Sequence, residues 1–218
     1  MKVSLVSHTM PTDENIPDSL LELVTYTARV SNPDSQMANM GNEKLLKYLE
    51  RNNHWSPFEM VNICMEINTT RDIARQILRH RSFSFQEFSQ RYADPHDEGL
   101  TWELRPARLQ DESNRQNSIE TDDQDLKEFW VAQQKRVHTV AMTAYNKAIE
   151  KGIAKEVARA VLPEGLTGSR LYMNGTLRSW LHFIELRSAN GTQLEHQNIA
   201  IECGNIIKEL LEGNKYDP

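Results

Sequence analysis

The segment RHRSFSFQEFSQRY, residues 79–92, gathers Arg79, His80, Arg81, Glu87, Ser89, Gln90 and Arg91 within one short stretch. Arginine forks and hydroxyls suit a phosphate, and an amide with a carboxylate suits the edges of a ring or a sugar. A phosphorylated heterocycle needs that mixture. The segment follows a helical stretch with Arg71, Arg75 and Arg79 at i, i+4 and i+8. That spacing puts the three on roughly one face. Like charges stacked this way repel, so something in the folded protein must compensate. Gln76 and His80 lie together on a neighbouring face. For an arbitrary arginine triplet a solvated basic face is the plainer reading. The interleaved serines, glutamines and aromatics favour an anion site.

Two other segments carry polar side chains at helical spacing. In KEVARAVLP, residues 155–163, Glu156 and Arg159 are i, i+3 neighbours and by themselves read as a surface ion pair. In TLRSWLHFIELR, residues 176–187, Arg178, His182 and Glu185 form a polar stripe opposite Leu177, Trp180, Leu181 and Ile184. Arg187 closes that helix, where the dipole favours a cation. His182, Glu185, Glu195 and His196 invite a metal reading, but no repeated Glu-x-x-His pattern supports it. No GxGxxG, GxxxxGK[ST] or GxSxG occurs, so dinucleotide-fold, P-loop and serine-hydrolase readings lose their main support.

The chain has 218 residues, 39% of them hydrophobic, enough for one compact domain with a sizeable core. A net charge of −6 is a poor basis for binding nucleic acid, so an anionic ligand must be met by a local basic cluster. Cys64 and Cys203 stand far apart without CxxC spacing, which suggests neither zinc nor a disulfide and fits a reducing cytoplasm. The opening MKVSLVSHTM has no apolar signal run, and no stretch approaches the length of a membrane span.

Periodicity predicts strands over 2–7 and 60–68. It predicts helices over 17–30, 42–53, 71–81, 125–150, 153–161, 176–188 and 192–212. SNPDS at 31–35 is a turn, and HWSPF at 54–58 breaks a helix. Residues 82–92 are irregular, and 93–124 are polar and loop-rich. The sum is one α+β domain over 1–218 with more helix than strand.

The dense segment resembles the signature of the flavin-dependent thymidylate synthases, RHRxxSxxxxSxR. Arg79, His80, Arg81, Ser84, Ser89 and Arg91 meet every fixed position. HWSPFE at 54–59 resembles that family's HxSxFE element, and EVARAVLP at 156–163 its ExAR…LP element. RLQD at 108–111 with NRQN at 114–117 is similar to a segment of the viral, algal-virus-like branch. Leu186-Arg187 ends the last matching helix, and the likeness spans roughly residues 45–200. The stretch EGLTGSRLYMNGT after Pro163 departs from the family's form by an extra residue, which moves an asparagine expected near 176 to Asn174.

The resemblance implies a small antiparallel sheet with several long helices. It implies reductive methylation of dUMP to dTMP, with 5,10-methylenetetrahydrofolate as carbon donor, FAD as cofactor and NADPH as reductant. Gln76, Arg79, Glu87, Phe88, Ser89, Gln90, Arg91 and Arg159 would hold dUMP, with Ser89 and Arg91 near its phosphate. Arg187 would be the catalytic residue, meeting the uracil and favouring ionisation at N3. His54, Ser56, Arg79, His80, Arg81 and Glu87 would line FAD, with Thr176, Arg178 and His182 from the later helix. A homotetramer with shared active sites is implied, in the cytoplasm, or the host cytoplasm for a viral source.

Uracil C5 is weakly nucleophilic. Neither cysteine sits beside the dense segment, so thiolate addition at C6 is not expected. No His or Lys base is placed by sequence to activate Ser89, which reads as a ligand. A cation at the uracil O2/N3 edge would stabilise developing negative charge. Three other readings compete: a nucleotide- or RNA-binding module, a helical metalloenzyme, and a structural oligomer with a dead site.

Overall fold

The computed structural model describes residues 1–16, 18–36, 42–93 and 102–211. Its centre is a four-stranded antiparallel sheet. β1 (Lys2–His8), β2 (Asn62–Thr70), β6 (Gly168–Thr176) and β3 (Ser84–Glu87) lie side by side in that order. Alternation decides which face is dry. Ile63, Met65 and Ile67 of β2 are fully buried and stand opposite Gly175, Met173 and Leu171 of β6. Val3 of β1 stands opposite Ile67, and Phe85 of β3 opposite Met173. Glu66, Asn68, Tyr172 and Asn174 occupy the other face, as expected of an antiparallel sheet with one polar side.

Three helices cover the dry face. α1 (Leu20–Ala28), α7 (Leu177–Ser188) and α8 (Leu194–Leu211) bury Leu20, Val24, Leu177, Trp180, Phe183, Ile199, Cys203 and Ile207 in one core with the sheet. Trp180 ties α7 to β2 by donating its Nε1 hydrogen to the Ile63 carbonyl at 3.0 Å. The remaining elements are α2 (Pro33–Gln36), α3 (Asn42–Arg51), α4 (Arg71–Ile77), a two-stranded hairpin of β4 (Arg108–Gln110) and β5 (Ser118–Glu120), α5 (Gln124–Glu150) and α6 (Lys155–Ala158). The α+β class is what periodicity predicts, and the small antiparallel sheet is what the resemblance implies. No helix among the described residues is long and apolar enough to cross a membrane.

Several boundaries differ from the periodicity. The helix predicted from Arg71 ends at Ile77 with Leu78 as its C-cap, so Arg79 lies beyond it and the triplet does not share one helical face. Residues 82–92 contain β3. The loop-rich reading of 93–124 falls partly on 94–101, outside the described residues, and the rest contains the β4–β5 hairpin. The helix predicted over 153–161 is one α turn followed by a 3₁₀ turn at Arg159–Val161. The helix predicted from 17 begins at Leu20 after Ser19, and Pro17 lies outside the described residues.

The largest omission is β6. Its inward residues do alternate, but Asn174 and Gly175 are poor strand formers and disguise the period. Gly175 is there because Phe83 packs against its backbone; a Cβ would lie 2.4 Å from the Phe83 ring. That close approach seats the 79–83 segment on the sheet.

Candidate active site

α4 is set at the end of β2, with no break between Thr70 and Arg71. Arg71 is therefore carried inward and buried, its Nη1 3.7 Å from the Glu87 carboxylate on β3. Glu87 also accepts from Ser169 Oγ at 2.9 Å. Arg75, one turn on, faces solvent and pairs with Glu164 at 3.0 Å. The compensation that the triplet demands thus comes from Glu87 and Glu164 for the first two arginines. Arg79 and Arg81 are exposed and form no ion pair among the described residues.

α7 lies along this segment through residues one turn apart. Ser179 Oγ donates to the Ser82 carbonyl at 3.3 Å. The Phe183 ring stands edge-on to His80 with centroids 4.9 Å apart. Arg187 donates from Nε to His80 Nε2 at 2.9 Å. An imidazole nitrogen that accepts from a guanidinium must be unprotonated. Burial, with the charges of Arg187 and Arg79, lowers the His80 pKa to about 4, so the ring is neutral near pH 7. His196 of α8, with its ring centroid 6.1 Å from that of His80, is likewise lowered to about 4 by burial and then by Arg187.

Residues 87–91 form the next wall. Phe88 N–H donates to the Arg170 carbonyl at 2.8 Å, extending the β3–β6 pairing. Ser89 Oγ accepts from the Arg91 amide at 3.4 Å. Gln90 is buried, and its Nε2 has no hydrogen-bond partner among the described residues. Arg91 and Arg159 meet around one residue: Arg91 pairs with the Glu156 carboxylate at 3.4 Å, and Arg159 Nε donates to the Glu156 carbonyl at 3.3 Å. The sequence pairs Glu156 with Arg159; in the fold the carboxylate takes Arg91 instead.

A third group sits at the start of α7. Thr176 caps the helix, its Oγ1 accepting from the Ser179 amide at 3.2 Å. Arg178 pairs with Glu59 of the 3₁₀ turn Ser56–Met60. The exposed His182 ring lies 4.7 Å from Trp55, and His54 and Ser56 are exposed beside it in sequence. Asn174 stands two residues before the cap, on the polar face of β6 opposite Cys64 and Ser84.

The structure thus brings the expected residues into three groups. One is Gln76, His80 and Arg187. A second is Glu87 to Arg91 with Arg159. The third is Thr176, Arg178 and His182 with Trp55. Glu195 and His196, weighed for a metal, are engaged elsewhere: Glu195 with Arg108 at 2.7 Å, and His196 Nδ1 with Gln76 Oε1 at 3.3 Å. Sequence reasoning passed over Ser169 and Gln193. The alternation hidden in β6 was the only signal for Ser169, and none marked Gln193.

Arg79 and Arg81 are exposed without carboxylate partners, Gln90 Nε2 is a buried donor without an acceptor, and Arg71 Nη1 has only the long 3.7 Å approach to Glu87, all among the described residues. Such donors are costly unless something accepts from them. The fold and site therefore define an α+β protein built to take a polar, anionic small molecule. Comparison with known proteins narrows this. The family model described as thymidylate synthase complementing protein matches residues 5–211. A probable flavin-dependent thymidylate synthase of Paramecium bursaria Chlorella virus 1 is 49% identical over 211 residues, covering 96% of this chain and 95% of that one. The flavin-dependent thymidylate synthase of Synechocystis is 45% identical over 209 residues, covering 95% and 94%. A UMP/dUMP methylase from Streptomyces cacaoi, solved with 5-Br dUMP, superposes with a TM-score of 0.79 at 28% identity, covering 96% of this chain and 90% of that one. The chain belongs to the flavin-dependent thymidylate synthase family.

Proposed function

We propose that this protein methylates dUMP to dTMP reductively, with FAD as cofactor, 5,10-methylenetetrahydrofolate as carbon donor and NADPH as reductant. The observation that carries the reading is the junction of Arg187 with His80 beside unpaired arginines, in a chain of this family. The flavin, when bound, supplies the hydride chemistry. The protein's part is to bind, orient and place charge. Arg91 and Arg159, gathered around Glu156, receive the phosphate with Ser89. Gln76, Arg79, Glu87, Phe88 and Gln90 hold the rest of the nucleotide. Arg79, His80, Arg81 and Glu87 line the flavin with His54, Ser56, Thr176, Arg178 and His182.

Neutral His80 accepts from Arg187 Nε and so fixes the guanidinium plane, leaving its Nη groups for the uracil O2/N3 edge. A cation there stabilises the negative charge that builds as C5 becomes nucleophilic. A thiolate route has no support, because burial raises the pKa of both Cys64 and Cys203. The whole chain acts as one such domain, in a cytoplasmic homotetramer with shared sites. The exposed apolar residues Phe129, Val137 and Val140 along α5 support an assembly of this kind.

The test is the visible spectrum of the purified protein with added FAD, then anaerobic NADPH with and without dUMP. The expected result is a flavin band that bleaches with NADPH, and dTMP once the folate is supplied. A folded protein that binds no flavin would refute the reading.

A further inference from the structure

A chain of hydrogen bonds runs behind Gln76, and its direction is set at the far end. Arg108 of β4 pairs with Glu195 of α8 at 2.7 Å, with side chains only 12% and 4% exposed. Glu195 Oε2 accepts from Gln193 Nε2 at 3.0 Å. Gln193 Oε1 accepts from Gln76 Nε2 at 2.8 Å. Gln76 Oε1 then lies 3.3 Å from His196 Nδ1.

A primary amide can turn over with almost no change of shape, exchanging donor for acceptor. An ionised carboxylate only accepts. Burial opposes the ionisation of Glu195, but hydrogen bonds from Arg108 and Gln193 and from its own backbone outweigh it, so its pKa is lowered. Glu195 therefore obliges Gln193 to offer it the NH₂ group and to turn its carbonyl to Gln76. Gln76 must answer with its own NH₂ and turn its carbonyl to His196. His196 must carry its proton on Nδ1, which leaves Nε2 as the buried lone pair, without a partner among the described residues.

We propose that Gln193 and Glu195 are positioning residues that lock the amide of Gln76, and with it the donor and acceptor pattern shown to a pyrimidine ring. This rests on the reading that Gln76 meets the nucleotide. Uracil and cytosine exchange donor and acceptor at ring N3 and at position 4. An amide locked one way discriminates between them, because the wrong ring leaves buried polar groups unpaired. An amide free to turn accepts both.

The experiment uses the full chain loaded with FAD. Binding of dUMP and dCMP is measured by calorimetry, and the ring ¹⁵N shifts of His196 report which nitrogen is protonated. Glu195→Gln removes the acceptor-only anchor. Gln193→Met breaks the relay without leaving Arg108 unpaired, and carries the test if the first variant does not fold. In Gln193→Met the preference for dUMP over dCMP is expected to fall about tenfold, roughly the loss of one buried hydrogen bond. The fall should come mainly from tighter dCMP binding, with dUMP binding largely kept, because the freed amide can still take the orientation that suits uracil. His196 is expected to change from the single Nδ1–H form to a mixture. Equal loss for both nucleotides, an unchanged ratio, or an unchanged His196 form overturns the proposal. Gln76→Leu separates the two claims. If it weakens dUMP binding while Gln193→Met leaves the dUMP-to-dCMP ratio unchanged, the lock is refuted and the nucleotide reading stands. If it leaves dUMP binding intact, the reading itself fails and the lock with it.

Discussion

Arg108 lies buried against Glu195 with its charge answered inside the protein, whereas Arg79 and Arg81 stand exposed with no ion pair among the described residues. The first belongs to a continuous relay of internal partners that runs from β4 through α8 to α4. The second belongs to a rim that leaves donors over. The difference separates polar groups that fix a shape from polar groups that await a ligand. In the relay each residue is tied to the next by a hydrogen bond or ion pair, so its geometry is set before anything binds. On the rim, Arg91 and Arg159 gather around Glu156, while Arg79 and Arg81 have no carboxylate partner among the described residues.

Breaking the relay should cost the most stability. Glu195→Ala leaves Arg108 buried without its counter-charge, and a loss of about 3–5 kcal/mol is expected in denaturant unfolding. Breaking the rim should spare the fold and reach the chemistry. Arg187→Ala is expected to lower turnover on the order of a hundredfold or more, measured as dTMP formation, with the thermal midpoint little changed. Turnover near that of the unaltered protein would remove Arg187 from its assigned role.

Two tests concern what seats the rim on the core. Gly175→Ala drives a Cβ into the Phe83 ring and is expected to cost about 1–3 kcal/mol, read from thermal or denaturant unfolding. Acid should act through His80 and His196. Both have folded pKa values near 4, against an unfolded value of 6.5, so the unfolded chain binds more protons between those limits. Their contribution is complete above about pH 6.5 and is lost as pH falls through about 4. His196→Asn should flatten that part of the stability–pH curve. The smallest effect is expected for Arg75→Ala, which breaks an ion pair with both side chains about half exposed and should change stability by no more than about 1 kcal/mol.

The amino-acid sequence by itself determined where chemistry is concentrated, because the types and spacing from Arg79 to Arg91 are local facts. It determined the amphipathic helices too: Leu177, Trp180 and Leu181 mark the inner side of α7 as plainly in the string as in the fold. What it did not determine was partnership. Nothing near Arg71 in sequence identifies Glu87 as its counter-charge, and nothing near Gln76 identifies Gln193, 117 residues away. β6 escaped notice because Gly175 and Asn174 weaken its strand pattern. Gly175 is needed by a neighbour, Phe83, which only the folded sheet brings into contact. Periodicity reports the face a residue shows to its own element. Which acceptor waits opposite a donor is settled by long-range packing, and tertiary structure alone decided it here.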